Sequence, residues 1–375
     1  MRPIYLDYNA TTPHDPEVIA AMRPYLEEHF GNPSSAHGYG LQAREAVAQA
    51  RAQVAALLGC QSDEIVFTSG GTEANNYALK GLAFARRRQG NHLITTQIEH
   101  PAVTEVCAFL QEQGFSVSYV PVDETGLVSV EDVEKALTPQ TILISVMHAN
   151  NEVGTIQPLE QLSQVARARG IVLHTDAAQS AGKIATDVNR LGVDLLSLAG
   201  HKLYAPKGIG VLYVRKGVSL EKFMHGAGHE RGRRAGTENV LEIVGLGKAC
   251  EIAHRDLAKN VAHMQALRDR LWEGLSAKVG AVRRNGHQER CLPNTLSLSF
   301  LGADATALLA KLEAFVAASA GAACHSEGVE VSHVLKAMRV PLEWARGTLR
   351  FSTGRMTTAD EIDRAVERIS ACIEV

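Results

Sequence analysis

The sequence predicts an α/β protein, with a mostly parallel sheet flanked by helices and a smaller α+β unit after it. Three observations predict this. From Glu64 onward, short apolar runs alternate with helical stretches. The runs are almost continuously apolar, as strands covered on both faces must be. The alternation then gives way, after one long helical stretch, to strands and helices of different spacing.

Asp15 ahead of Pro16 reads as the N-cap and first-turn proline of an opening helix, and a second helix over residues 41–58 is stopped by Gly59. Strands are expected at 65–67, 92–94, 117–120, 142–146, 171–173 and 194–196, each ending near polar residues. Ligands of such sheets sit beyond the carboxyl ends of the strands, so the chemistry should follow them. The run Arg86-Arg87-Arg88 reads as a solvated helix end that suits the negative end of the dipole. A helix over 238–275 leads to a strand at 296–300, a helix at 305–313, short strands at 315–316 and 350–351, and a terminal helix over 359–372.

With 375 residues, 45% of them apolar and 21% charged, the chain can bury a large core of its own. A formal net charge of −3 supplies no overall positive field, so neither nucleic acid nor an anionic membrane is expected as a partner. No apolar run approaches the ~20 residues of a membrane span, and Asp7 leaves the start no room for a secretory leader. A cytoplasmic protein is expected. Cys60, Cys107, Cys250, Cys291, Cys324 and Cys372 lie far apart without a CxxC, which argues for free thiols instead of zinc or disulfides. All but Cys324 read as small buried side chains. The histidines show no H-E-x-x-H spacing, so no metal is expected, and His148 and His174 read as hydrogen-bonding residues near strand ends. The segment 38–43 matches G-x-G-x-x-A in form, but it follows a loop where a dinucleotide fingerprint requires a buried strand.

Ser69-Gly70-Gly71-Thr72-Glu73 follows a strand and opens a helix, so backbone N–H groups can approach an anion at the positive helix end. Such a turn is equally at home as a plain strand-to-helix connection. The strand at 171–173 leads into Asp176, a carboxylate able to pair with a cationic ring nitrogen or simply to cap a helix. Lys202 follows the next strand in Ala199-Gly200-His201-Lys202, poised for Schiff-base chemistry if burial and nearby cations depress its pKa.

Together these segments resemble the pyridoxal-phosphate enzymes of aminotransferase class V, and within them the cysteine desulfurases of the NifS/IscS type. The resemblance spans nearly the whole chain and includes Tyr5-Leu6-Asp7-Tyr8-Asn9-Ala10-Thr11-Thr12-Pro13, Glu99-His100-Pro101, His148-Ala149-Asn150-Asn151-Glu152, Gly232-Arg233-Arg234-Ala235-Gly236-Thr237-Glu238-Asn239 and Arg350-Phe351-Ser352. It implies a transferase of fold type I, with a large cofactor-binding domain over 13–255 and a small domain made of 1–12 and 256–375. The cofactor implied is pyridoxal 5′-phosphate.

By this resemblance Lys202 would carry the cofactor, Asp176 would pair with its pyridinium nitrogen, and Gln179 and Asn151 would address its phenolic oxygen. His100 would stack on the ring and assist proton transfer, Gly71, Thr72 and His201 would hold the phosphate, and Thr237 would reach the phosphate of the other subunit in a homodimer. Arg350 would clamp the substrate carboxylate, with Asn151 beside it, a task that suits a planar guanidinium. Ala199 departs from the serine that many desulfurases carry there, a missing phosphate contact worth about 1–2 kcal/mol at most.

The small residues of 318–323 predict a movable loop ahead of Cys324, which matches the family's persulfide-forming cysteine, with His325 adjacent to it. The implied reaction turns L-cysteine into L-alanine and passes sulfur to an acceptor or scaffold protein, for iron–sulfur clusters or other sulfur-containing products. Cys-His-Ser after Gly-Ala-Ala also resembles selenocysteine lyases, so L-selenocysteine is the alternative substrate. A catalytically silent sulfur-transfer adaptor is the alternative of another class, and the retained lysine, aspartate, arginine and cysteine speak against it.

Overall fold

The structure, a computed structural model, describes residues 2–320, 322–325 and 328–373, with the backbone course alone for 322–325 and 328–330. The strands in chain order are β1 (Ile4–Tyr5), β2 (Ile65–Thr68), β3 (His92–Thr96), β4 (Ser116–Val120), β5 (Thr141–Ser145), β6 (Val172–Asp176), β7 (Leu195–Ala199) and β8 (Gly210–Val214). Then follow β9 (Val282–Asn285), β10 (Thr295–Phe300), β11 (Val316–Ala317), β12 (Ser319–Ala320), β13 (Ala322–His325), β14 (Gly328–Val331) and β15 (Thr348–Ser352).

The main sheet has the order β2-β8-β7-β6-β5-β3-β4. Only β8 runs against its neighbours, and the other pairs are parallel. Successive strand residues enter opposite cores. Ile94, Ile144, Leu173 and Leu196 face the core formed with the helices Gly38–Leu58 and Val240–Lys278. Leu93, Leu143, Val172 and Leu195 face the core formed with Gly71–Arg86 and Pro101–Glu112. Fully burying such side chains is worth about 1.5–3 kcal/mol each, and a one-residue slip would reverse every one of them, so the pattern fixes the register. The α/β class with a mostly parallel sheet is the one the alternation predicted.

Asp15 caps the opening helix Pro16–Glu27 by accepting from Glu17 N, as its place before Pro16 implied. The second helix starts three residues earlier than expected, at Gly38, where His37 Nδ1 accepts from Gly40 N. The G-x-G-x-x-A segment is therefore the first turn of a helix that follows a loop. His174 bridges Ser145 and Ser197, and His148 meets Ser180, so both are satisfied buried polar residues.

A third core gathers Ile4, Leu6, Leu267, Leu271, Leu275, Leu296, Leu298, Phe351, Ile362 and Ile369. Its sheet has the order β12-β15-β10-β9. The N-terminal segment joins this unit, because β1 pairs parallel with β11 and Asp7 bridges to Ser352. The helix Val240–Lys278 belongs to both units: Ile243 to Ala253 serve the first core and Leu267 to Leu275 the third.

Two sequence expectations need correction. Of the five cysteines expected to be buried, Cys107 and Cys250 are, while Cys60, Cys291 and Cys372 are only half-buried, with Cys60 and Cys372 lying at the edge of a core. The segment expected as a loop around Cys324 is an antiparallel hairpin, with β13 paired to β14 and Cys324 opposite Val329. Small side chains discourage helix packing but leave an extended, backbone-paired ribbon available. Gly321, Ser326 and Glu327 of that segment lie outside the described residues.

Candidate active site

The carboxyl ends of five strands open on one cavity of about 310 Å³. β2 leads to Gly71 and Thr72, β3 to His100, β5 to Met147, Ala149 and Asn151, β6 to Asp176 and Gln179, and β7 to His201 and Lys202. Arg350 on β15, together with Asn9 and Ala10 of the N-terminal segment, closes it from the smaller unit.

One end of the cavity is built by the turn after β2. Gly70 takes φ 152°, a conformation that L side chains rarely adopt, and starts the helix Gly71–Arg86 with its positive end on the cavity. β8 approaches this turn so closely that a Cβ on Gly210 would lie 2.6 Å from the Gly70 carbonyl carbon. Ala199 lines the same end, and a Cβ on Gly71 would come within 3.2 Å of its methyl. His201 Nδ1 lies 3.2 Å from Thr11 Oγ1, and burial with Lys202 and Lys207 nearby lowers its pKa to about 4, so it is neutral and able to donate one N–H.

Asp176 is held from two sides: Oδ2 accepts from Asn75 Nδ2 at 2.7 Å and Oδ1 from Ala178 N at 2.9 Å. Lys202 Nζ donates to the carbonyls of Asn9 at 2.5 Å and Ala10 at 2.7 Å. Burial, and then the Arg350 charge, bring its pKa down to about 8 against the opposing pull of Asp7 and Asp176. The same segment ties the lysine turn in place: Thr12 Oγ1 donates to His201 O and accepts from Tyr204 N, with Tyr204 at φ 64°.

His100 caps the helix Pro101–Glu112, Nδ1 accepting from Ala102 N at 3.1 Å, which leaves Nε2 as the protonated nitrogen of the neutral ring. Its pKa is lowered by burial, with Asp176 raising it and Lys202 and His333 lowering it further. Arg350 donates to Asp7 Oδ1 at 2.8 Å, Ser319 Oγ at 3.0 Å and Asn151 O at 3.0 Å.

Ten of the eleven candidate residues can be placed from their described side chains, or for Gly71 its backbone. Gly71, Thr72, His100, Asn151, Asp176, Gln179, His201, Lys202 and Arg350 line the cavity. Thr237 does not: it is exposed and lies in the turn that runs past Ser69. The Cys324 side chain lies outside what the structure describes. Sequence reasoning gave no role to Asp7, Asn9, Asn75 or Lys183, although Asp7 and Asn9 stand in a quoted motif, Asn75 follows Thr72 by about one helical turn, and Lys183 follows Gln179 by four residues.

A phosphate-sized anion at the helix end, a cationic ring nitrogen at Asp176 and a carbonyl at Lys202 would all be accommodated by this set. Such a site at the strand ends defines an α/β enzyme of the Schiff-base-forming class. Residues 4–365 match aminotransferase class-V, and the chain belongs to that family. A cysteine desulfurase IscS of Dictyoglomus turgidum is 46% identical over 374 residues, covering 100% of this chain and 95% of that one. Among solved structures, a NifS-like protein superposes with a TM-score of 0.94 at 40% identity, covering 100% of both chains. SspA in complex with cysteine does so with a TM-score of 0.83 at 38% identity, covering 96% of this chain and 100% of that one.

Proposed function

We propose that this chain is a pyridoxal 5′-phosphate-dependent cysteine desulfurase that converts L-cysteine to L-alanine and carries the sulfur away as a persulfide on Cys324. The observation that carries this reading is the convergence of Lys202, Asp176 and Arg350 on one cavity. Relatives named cysteine desulfurase and a related structure described with cysteine support the choice of substrate.

The residues fit the cofactor: the open helix end at Gly70–Gly71 suits a phosphate, and the anchored Asp176 carboxylate suits a protonated pyridine nitrogen. When bound, pyridoxal 5′-phosphate supplies an electron sink for charge developing on the substrate Cα. Lys202 would hold the cofactor and move the Cα proton. Asp176 would keep the ring nitrogen protonated, His100 would lie beside the ring, and Gln179 and Asn151 would address the phenolic oxygen. Gly71, Thr72 and His201 would take the phosphate, with Thr237 contributed by the second subunit of a homodimer. Arg350 takes the substrate carboxylate.

The Cys324 thiolate attacks the substrate sulfur. A sulfur–sulfur bond forms, the carbon–sulfur bond breaks with its electron pair staying on carbon, and that carbon takes a proton to become the methyl group of alanine. The sulfur then passes to an acceptor or scaffold protein in iron–sulfur cluster formation. A large unit over 13–255 and a small one of 1–12 with 256–375 carry these two halves of the work, and a cytoplasmic setting suits thiols such as the buried, unpaired Cys107 and Cys250.

Three measurements test the reading. The purified protein with added cofactor should be yellow, and borohydride reduction followed by peptide mapping should place the label on Lys202 and not on Lys183 or Lys207. Alanine should form from cysteine, and Cys324→Ser should stop it. A wild type that consumes only selenocysteine would favour the lyase, and one that binds no cofactor would favour the adaptor.

A further inference from the structure

Lys183 is a second buried lysine beside the site. It stands four residues beyond Gln179 in the turn after β6, and Nζ donates to Gln179 Oε1 at 3.0 Å and to Asn9 Oδ1 at 3.0 Å. Asn9 is itself fixed. Its Oδ1 also accepts from Asn294 Nδ2 at 3.0 Å, and its Nδ2 donates to Thr295 Oγ1 at 2.8 Å and Asn151 O at 3.2 Å. Lys183 therefore ties Gln179 to a side chain that three other atoms already hold.

The two ends of a glutamine amide are nearly equal in shape, and only their partners decide which is which. The Asn9 carbonyl can only accept, so the end of Gln179 that meets it is Nε2, and the Lys183 amine donating to Oε1 holds that choice from the other side. Gln179 Nε2 gives one hydrogen to Asn9 O at 3.0 Å, the carbonyl that also accepts from Lys202, which leaves its second hydrogen to offer to the cavity that Gln179 lines.

We propose that Lys183 is a positioning residue that locks the Gln179 amide with Nε2 as donor, so that Gln179 donates to the phenolic oxygen of the bound cofactor and does not turn its own oxygen toward it. This rests on the cofactor reading given above. Burial, with the Lys202 and Arg350 charges adding to it, holds the Lys183 amine well below the usual lysine range, which weakens any action through charge.

The test is the pH titration of the visible band of the holoenzyme without substrate, with cofactor affinity and circular dichroism measured alongside. A donor on the phenolic oxygen stabilises its anion, so its loss moves the titration midpoint up. Lys183→Met is expected to raise the midpoint by about one pH unit, the size of one ordinary hydrogen bond. In a Gln179→Leu background, Lys183→Met is expected to move it no further, and Lys183→Arg, which keeps N–H donors, should restore the wild-type value in the presence of Gln179. If Lys183→Met does not fold, Lys183→Leu carries the same test, since it also leaves no donor for Gln179 Oε1, and the same upward shift is expected. An unchanged midpoint, or an equal shift with and without Gln179, would overturn the inference and assign Lys183 to structure or to charge. A wild type with no titrating band at any cofactor concentration would overturn the proposed function first, and this inference with it.

Discussion

Asp7 and Arg350 form an ion pair at the wall of the cavity, Nη2 to Oδ1 at 2.8 Å, that fastens the N-terminal segment to β15. Ser319 Oγ accepts from the same Nη2 and Asn151 O from Nη1, and Nε is buried without a partner among the described residues. A planar guanidinium can grip a carboxylate with two parallel bonds, which a lysine cannot, once the substrate displaces Asp7 or Ser319 from Nη2. Arg350→Lys is expected to raise the KM for cysteine by about 10- to 100-fold, the worth of one charge-assisted bond, with a smaller effect on kcat. Steady-state kinetics check this, and an unchanged KM would remove Arg350 from the substrate site.

The same pair sets the lysine. Arg350 lowers the Lys202 pKa and Asp7 raises it, with burial the larger cause. Reductive trapping of cofactor by the apoprotein, followed as an initial rate, should rise with pH to a midpoint near 8 as Lys202 loses its proton. Asp7→Asn should move that midpoint down and Arg350→Gln should move it up. Shifts in the opposite directions would mean that other charges govern Lys202.

Glu99 is wholly buried next to His100, and burial pushes its pKa up to about 8. Oε1 accepts from Thr96 Oγ1 at 2.7 Å and Met147 N at 3.0 Å, while Oε2 has no partner among the described residues, as suits a carboxyl that keeps its proton. The unfolded chain releases this proton near the ordinary carboxylate value, while the folded chain holds it until about 8. Between those two values the folded state binds more protons, so this group makes stability fall as pH rises. Glu99→Gln should flatten that fall between about pH 5 and 8, as read by denaturant midpoints across the range. Parallel curves for the two proteins would show that Glu99 ionises without cost.

Thr237 lines no part of its own chain's cavity, and the homodimer reading gives it to the second subunit. Lys202→Ala chains mixed with Thr237→Val chains should form heterodimers with one doubly defective site and one intact site. At limiting cofactor, activity is expected to rise above that of either parent. No rise after verified subunit exchange would return Thr237 to a purely structural turn.

The sequence showed the sheet because strands buried on both faces leave continuous apolar runs, and Ile144 beside Leu143 is legible as two faces of one strand. It showed Asp176 and Lys202 because a carboxylate and a lysine are rare at the ends of such apolar strands, whereas Arg350 entered only through the family resemblance. Asp7, Asn75 and Lys183 were less visible, for a physical reason. They act by orienting other side chains across separations of 343, 101 and 174 residues, for Asp7 with Arg350, Asn75 with Asp176 and Lys183 with Asn9, and no periodicity records such a bond. The hairpin at Cys324 was hidden for a different reason: runs of alanine and glycine carry almost no alternation from which a strand can be read.

The helix Val240–Lys278 has 39 residues and extends for about 58 Å. Because its first half is built into one core and its second half into the other, neither unit can melt without stripping apolar partners from a rod the other still needs. Heat should therefore take the chain apart in one cooperative transition, with calorimetric and van't Hoff enthalpies in agreement. Two resolved transitions would mean that the rod breaks in the middle, between Ala253 and Met264, where a solvated stretch joins the two buried faces.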